Sequence, residues 1–552
     1  MELQDDPRAD LAFGTTSRLL HAAAARMGDA EAIVDGDLRL SYADLDGAAS
    51  RAAAAMIAAG VAKGDRVAVW APNCALWVVA ALGLQRAGAV LVPMNTRFVG
   101  EEAAYVLRKS RAAVLITVTD FLGRDYPASV AEAAGGYGRD RPIAGLPDLE
   151  RIVRLSGPAS PATECWDDFL RRADNADANM VERQTNSVSA DDLSDILFTS
   201  GTTGRPKGAM CTHGQTLRAY AVWNGVVGLR EGDRYLIVNP FFHGFGYKSG
   251  WLASIIAGAT IIPMRTLDVP QVLAAVRAEA VTVLPGTPTL YQTMLEHPGY
   301  SRDGVKSLRL AVTGAASVPA ALLRRIKEEI GFDHIVTGYG LTETCGIVSM
   351  CRYDDPLEVV ASSAGRPLPG VEVRVVDGDG APQPPGHEGE IVVRGYPLMR
   401  GYLDESEKTS DVIDAQGWLH TGDIGVLDAD GLLHITDRLK DMFIVGGFNA
   451  YPAEIEQTLS GHPAVAQVAV VGMPDERMGE VGVAFVVPRN GVELSVEEIA
   501  AFSRANMANY KVPRHVHIVT ELPLNASGKV LKHELRARAA HAAAASPGAA
   551  DE

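Results

Sequence analysis

The sequence predicts an α/β protein. It has a large N-terminal domain of mostly parallel sheets flanked by helices, a small β-barrel-like region appended to it, and a small α+β domain at the C-terminus. Three observations predict this. Short β-rich runs alternate with helical patterns through most of the chain, as βαβ units do. From Val371 the texture changes to closely spaced apolar runs joined by Asp-Gly turns at Asp377-Gly378, Asp379-Gly380 and Asp430-Gly431, the mark of antiparallel pairing. At Asp437-Arg438-Leu439-Lys440 the pattern breaks, and a second compact set of elements follows.

Taken in order, residues 66–70, 89–93, 112–118, 235–238, 260–263, 281–284 and 308–312 read as strands, because they are short and rich in Val, Ile and Leu. Between them, 45–59, 76–84, 101–109, 215–226, 269–278 and 320–330 carry helical patterns. The longest apolar run, 74–84, ends at Gln85-Arg86; it is too short to span a bilayer and predicts a buried helix. Residues 123–187, rich in Asp, Ala, Pro and Gly, read only as a variable connection. The runs 371–376, 389–394 and 432–435 form the antiparallel or barrel-like region. Beyond the break, 453–459, 465–471, 483–487, 496–506 and 516–519 make an α+β unit of ordinary domain size. The Ala-rich tail from about Ala539, ending SPGAADE, is expected to fray. The break divides the chain into 1–437 and 441–552, with 438–440 between them.

With 552 residues the chain is too long for one core. A formal net charge of −17 disfavours a nucleic-acid partner, which would favour a basic surface. The five cysteines (Cys74, Cys165, Cys211, Cys345, Cys351) are odd in number, widely spaced and without CxxC, so neither a disulfide framework nor a zinc site is expected. Reduced thiols and an acidic, polar N-terminus, MELQDDPRAD, unlike a signal peptide, predict a cytoplasmic protein with no integral membrane segment.

The densest chemistry lies in Ser200-Gly201-Thr202-Thr203-Gly204-Arg205-Pro206-Lys207-Gly208. It follows an apolar Ile196-Leu197-Phe198 strand. Glycines let backbone N–H groups converge on an anion, hydroxyls add donors and Lys207 adds charge. A triphosphate is the natural guest. The P-loop pattern GxxxxGK[ST] fails, because Pro206 stands where the second glycine belongs and Gly208 where Ser or Thr belongs.

This run resembles the phosphate loop of the adenylate-forming superfamily of acyl-CoA synthetases, peptide-synthetase adenylation domains and luciferases. Further motifs follow in that family's order. Phe241-Phe242-His243-Gly244-Phe245-Gly246 resembles its acyl-site segment, and Thr337-Gly338-Tyr339-Gly340-Leu341-Thr342-Glu343-Thr344 its adenine and magnesium segment. Thr421-Gly422-Asp423 resembles its ribose contact, Asp437–Asp441 its hinge, and Asn525-Ala526-Ser527-Gly528-Lys529 its C-terminal lysine loop.

The resemblance implies ATP, Mg²⁺ and CoA as cosubstrates and cofactor, and a C-terminal domain that is mobile. Ser200, Gly201, Thr202, Thr203, Gly204 and Lys207 would bind the β- and γ-phosphates, with Thr199 beside them in the cofactor site. Glu343, with Thr199, would hold Mg²⁺, and Thr342 would sit by the α-phosphate. Tyr339 would face adenine within the Thr337, Gly338, Gly340, Leu341 segment, against a backbone wall of Gly314, Ala315 and Ala316. Asp423 and Arg438 would serve the ribose, Ile435 would be a further residue of the cofactor site, and Lys529 would bridge carboxylate and α-phosphate. Lys440 matches the hinge, and Gly446, Gly447 and Phe448 would line the pantetheine tunnel. His243 would guide the thiol or gate the acyl tunnel. His515 and His517 are assigned no role.

Peptide-synthetase domains place an acidic residue near Pro240–Phe245; none stands here, which disfavours an amino-acid substrate. The expected partners are a small-molecule carboxylic acid and CoA, and a homodimer is compatible with the family. Trp223, Phe241, Phe245, Tyr247, Trp251 and 313–317 are expected to line the acyl pocket. NPFFHGFGYKSGW, 285–292 and TGAASVP resemble actinobacterial acyl-CoA synthetases of sterol catabolism that activate the propionate side chain of a two-ring steroid remnant. That acid leads, with a medium- or long-chain fatty acid behind it, and Lys248 or Tyr247 would hydrogen-bond a ring ketone. The alternatives are a fatty acyl-AMP ligase serving a carrier protein and a non-catalytic nucleotide-binding protein. The joint presence of Lys207, Glu343, Asp423, Arg438 and Lys529 argues against the second.

Overall fold

The computed structural model describes residues 14–199, 206–313, 320–438, 441–445, 448–450, 452–475, 478–507, 509–524 and 530–545. Two large sheets carry the N-terminal part. In one, six strands run parallel in the order His334–Tyr339, Leu310–Thr313, Val283–Gly286, Arg234–Ile237, Thr260–Pro263, Glu31–Asp35. Antiparallel strands (Ser349–Met350, Arg366–Pro367 and Leu38–Ser41) finish its two edges. In the other, Leu193–Thr199, Val90–Pro93, Arg66–Trp70, Ala112–Val118, Arg151–Ser156 and Thr163–Cys165 are parallel, and Lys207–Thr212 and Gly401–Tyr402 close one edge antiparallel. Their runs of Val, Ile and Leu are buried on both faces, as parallel strands covered by helices must be.

Helix Ala75–Arg86 is buried all round, as the apolar run predicts. It crosses Tyr42–Ala58 so closely that a Cβ on Gly83 would stand 2.5 Å from Ala52 Cβ. Its terminal cation is accommodated because Arg86 ion-pairs with Asp46 and donates to Ser17 Oγ at 2.9 Å.

Three expectations need correction. Residues 123–187 are not a bare connection: helices Tyr126–Ala133 and Ala178–Asn186 flank strands that extend the parallel sheet. Arg151 and Arg154 disguise the first of these strands; both are half-buried near the sheet edge, while Ile152, Val153 and Leu155 are buried. The region after Val371 is a four-stranded antiparallel sheet, Val371–Val376, Glu388–Gly395, Leu419–Leu427, Leu433–Arg438, whose outer strands do not pair with each other among the described residues, so it is open rather than barrel-like. Its Leu419–Leu427 strand has no strand-like signature, because Thr421-Gly422-Asp423 interrupts the apolar pattern. Finally, the Ala-rich tail does not fray at Ala539: helix Lys532–Ala545 runs through it, with Leu535 and Ala539 packed on Ala469, Val471 and Phe485. Alanine is the strongest helix former, which favours this outcome.

The C-terminal elements form a separate sheet, Phe448–Ala450, Phe443–Val445, Gly479–Pro488, Val465–Asp475, with His515–Ile518 added parallel to Gly479–Pro488. Helices Pro452–Ser460, Val496–Asn506 and Lys532–Ala545 cover it. Leu524 and Val530 pair as an antiparallel bridge, so the chain on either side of 525–529 is held together. Arg536 then ion-pairs with Asp441 at 2.6 Å and Lys532 with Glu456 at 2.9 Å.

Candidate active site

Thr199, Thr313 and Tyr339 each end a parallel strand, and ligands of open α/β sheets bind outside such carboxyl ends. The hairpin of Leu193–Thr199 and Lys207–Thr212 puts Thr199 opposite Lys207, and Thr199 Oγ1 donates to the Lys207 carbonyl at 3.4 Å. Ser200, Gly201, Thr202, Thr203 and Gly204 lie outside the described residues. Gly208 serves packing: a Cβ there would stand 2.7 Å from Ile196 Cγ2.

Lys207 Nζ sits 4.8 Å from the ring centroid of Tyr402, and the Tyr402 hydroxyl donates to Glu343 Oε1 at 2.7 Å. One buried phenol thus joins the phosphate-loop lysine to the metal-segment carboxylate. Burial, and then the Glu343 charge, push the Tyr402 hydroxyl well above the usual phenol range, so it stays a donor. Tyr402 belongs to the short Gly401–Tyr402 strand at the edge beside Ala209 and Met210.

In the adenine segment, glycine is dictated by close packing. A Cβ on Gly338 would meet Met350 Sδ at 2.2 Å, and one on Gly340 the Gly346 carbonyl oxygen at 2.3 Å. Thr337 and Gly338 are backbone members of the strand, and Leu341 leads into the 3₁₀ turn Thr342–Thr344. Buried Thr344 fastens that turn, donating to Leu341 O at 2.9 Å and accepting Leu341 N–H at 3.0 Å. Thr342 and Glu343 are left half-buried at the open side.

Tyr339 donates its hydroxyl to Asp423 Oδ2, so the adenine-facing and ribose-facing residues meet. Asp423 is buried on Leu419–Leu427 and pairs in register with Arg438. Ile435 is exposed on the neighbouring strand. The Thr421-Gly422-Asp423 turn is held from behind by Glu390, which accepts Gly422 N–H at 3.0 Å and lies 2.8 Å from His420 Nδ1. Thr421 Oγ1 donates to Ile391 O at 2.7 Å.

In the acyl segment, buried Asn73 donates to Asn239 O at 2.9 Å and accepts Phe241 N–H at 2.8 Å, which fixes the entry to Phe241–Gly246. A Cβ on Gly246 would lie 2.3 Å from two carbonyl oxygens, so the turn needs glycine. His243 is exposed and its Nδ1 accepts Phe245 N–H at 3.2 Å, which puts the proton of a neutral ring on Nε2.

The pocket expectation is partly overturned. Trp223, Tyr247 and Trp251 belong to the close-packed core, where Trp251 stacks on Tyr247 at 4.8 Å and lies 6.0 Å from Trp77. Phe241 also packs there, while Phe245 is half-buried beside His243. Neither Lys248 nor Tyr247 is open to a ring ketone. Lys248 is fully buried and ion-paired with Asp195 at 2.9 Å, and the Tyr247 hydroxyl is occupied by Gln85 and Asp195. A lysine in an aromatic motif suggests a ligand contact, but its partner is Asp195 on the Leu193–Thr199 strand.

Gly314, Ala315, Ala316, Lys440, Gly446, Gly447 and Lys529 lie outside the described residues, as do the side chains of Arg438 and Phe448. Tyr402, Glu390 and Asn73 are the contributors that sequence motifs miss. No cluster of three or more His, Cys, Asp or Glu side chains forms a metal cage among the described residues. Mg²⁺ does not need one: it keeps waters and takes one or two carboxylates plus phosphate oxygens. Glu343, aimed by Tyr402, fits that part. No helix among the described residues is long and apolar enough to cross a membrane.

Comparison with known proteins bears on this geometry. Residues 20–403 match the model of the AMP-binding enzyme family and residues 454–529 that of its C-terminal domain. The chain is 46% identical over 523 residues, 95% of this chain and 98% of the relative, to a 7a-methyl-1,5-dioxo-octahydro-1H-inden-4-yl propanoyl:CoA ligase of Rhodococcus jostii. It is 46% identical over 511 residues, 93% of this chain and 96% of the relative, to the ligase of the same name from Mycobacterium tuberculosis. The crystal structure of the anthranilate CoA ligase AuaEII in complex with anthranoyl-AMP superposes with a TM-score of 0.86 at 29% identity, covering 99% of this chain and 100% of that one. With both family models matched in order and these relatives aligned over nearly their whole length, the chain belongs to the AMP-binding enzyme family.

Proposed function

We propose that the protein is an AMP-forming acid–thiol ligase that joins a bicyclic diketone propanoate to CoA. The observation that carries this reading is the linked array Lys207–Tyr402–Glu343 beside Tyr339–Asp423, in a chain 46% identical to two ligases for such an acid.

In the first step a carboxylate oxygen of the acid attacks the α-phosphorus of ATP. The bond to the bridging oxygen breaks, and pyrophosphate leaves with its electron pair. Two anions must approach, so the site's task is to cancel charge and fix an in-line geometry. Lys207 and the 200–204 loop hold the β- and γ-phosphates. Mg²⁺, when bound, neutralises phosphate charge as a Lewis acid. Glu343 would hold it, and the Tyr402 hydroxyl keeps that carboxylate oriented. Asp423 accepts the Tyr339 hydroxyl and would face the ribose hydroxyls. Lys529 balances the charge developing between carboxylate and α-phosphate. In the second step the CoA thiolate attacks the acyl carbonyl and AMP departs. The unit from 441 onward turns about 438–440 between the steps, and Gly446 and Gly447 then line the path of the thiol. His243, exposed at the acyl segment, would guide the thiol or gate the acyl tunnel.

The test is product analysis with ATP, Mg²⁺ and a panel of acids from acetate through palmitate to ring-bearing propanoates, with and without CoA. The expected result is AMP, pyrophosphate and acyl-CoA, with the bicyclic propanoate preferred by kcat/KM. Preference for palmitate would overturn the substrate. Acyl-AMP left untouched by CoA would instead assign a carrier protein as acceptor.

A further inference from the structure

The elements that bring reactive groups to the site share one buried polar cluster beneath it. Asp195 lies on the strand that ends at Thr199, Cys211 on the strand that begins at Lys207, and Cys345 two residues beyond Glu343. Lys248 lies in the π-helical turn Tyr247–Leu252 that follows His243. Lys248 Nζ is 2.9 Å from Asp195 Oδ1, and both side chains are 0% exposed. Ser194 Oγ donates to Asp195 Oδ2 at 2.6 Å, and the Tyr247 hydroxyl approaches the same oxygen at 3.4 Å. Gln85 Nε2 ties the Tyr247 hydroxyl, at 2.9 Å, to the Ser194 carbonyl, at 3.0 Å. The Cys211 and Cys345 sulfurs touch at 3.3 Å.

A fully buried ion pair is a poor choice for stability alone, because well-packed apolar residues of similar volume serve as well or better. What it adds is mutual dependence: two opposite charges buried 2.9 Å apart cannot separate without leaving each uncompensated in the interior, so strand and turn are held to one placement. The π turn, a geometry common at functional sites, carries Lys248 directly after the acyl segment Phe241–Gly246. An apolar pair would hold strand and turn together but let them slide.

We propose that Lys248 and Asp195 are positioning residues for adenylation, fixing the phosphate-loop hairpin against the acyl segment so that triphosphate and carboxylate meet in line. This rests on the ligase reading above. Neither residue touches substrate; each acts through the element that carries it.

The test compares wild-type protein with the double variant D195L/K248M, which removes both charges and leaves none unpaired. Pyrophosphate release is measured with the preferred acid and normalised to folded protein by circular dichroism. The expected outcome is a melting temperature close to wild type, a KM for ATP within about threefold, and kcat lowered about 10- to 100-fold, the scale of a roughly 1 Å misplacement. A folded double variant with wild-type kcat, or one in which only KM changes, overturns the proposal. If the double variant does not fold, D195E serves instead. It keeps the charges and moves the carboxylate by one methylene, and the same split between kcat and KM decides. A wild-type enzyme that releases no pyrophosphate with any acid would refute the ligase reading itself, a result distinct from either variant's.

Discussion

The Tyr402 hydroxyl offers the sharpest test of how the site would hold Mg²⁺. Tyr402→Phe removes one oxygen and keeps the ring, so the 4.8 Å contact with Lys207 survives while the 2.7 Å hydrogen bond to Glu343 is lost. A hydrogen bond to a charged acceptor is worth about 1.5–3 kcal/mol. Glu343 is half-buried and can recruit water in place of the phenol, so the low end applies. At about 1.4 kcal/mol per decade, kcat/KM for adenylation should fall about tenfold. The loss should come with a higher Mg²⁺ concentration for half-maximal rate, because the carboxylate is no longer pre-aimed. Tyr402→Ala should lose a further severalfold, since a partly desolvated cation–π contact adds about 1 kcal/mol. The assay is initial pyrophosphate release titrated with Mg²⁺ at saturating acid. A Phe variant whose Mg²⁺ dependence and kcat/KM both stay within twofold of wild type would refute the reasoning.

Two other outcomes follow from the same geometry. Glu390→Ala removes the acceptor for Gly422 N–H, so the Asp423 turn should loosen, with the KM for ATP rising about tenfold at nearly constant kcat; an unchanged KM would show that the turn holds itself. His213 is buried, and burial first of all pushes its imidazole down to about 4, against the opposing pull of Asp195 and Asp192. The unfolded chain takes up this proton near pH 6.5 and the native one only near 4, so stability should fall as pH drops through that window, by up to about 3 kcal/mol. His213→Gln should lack this component, and parallel acid-unfolding curves for variant and wild type would exclude it.

Much of the architecture is legible in the sequence where burial writes a continuous apolar run. Ala112–Val118 and Thr260–Pro263 are found at their predicted limits, because both faces of a covered parallel strand must be apolar. Legibility fails where function or an edge interrupts the run. Leu419–Leu427 is a strand, but its Thr-Gly-Asp turn is spent on Asp423, and Arg151–Ser156 shows its arginines because it lies close to the sheet edge. The candidate site divides in the same way. Contiguous motifs such as Thr342-Glu343 announce themselves, whereas Tyr402 stands 59 residues from the carboxylate it orients, in a Gly-Tyr context with no signature. Lys248 is the opposite case: its aromatic neighbours point to a ligand, and only the fold shows that Asp195 claims it.

The bridge between Leu524 and Val530 and the contact of Arg536 with Asp441 have a mechanical consequence. The stem of the lysine loop and the first residue past the proposed joint are tied to one another, like the two ends of a crank. Any turn that moves Asp441 moves Arg536, and with it the stem that presents 525–529. Under the proposed alternation the lysine therefore needs no trajectory of its own. On that proposal, changing over between the two chemistries becomes the work of a few backbone torsions at the axle.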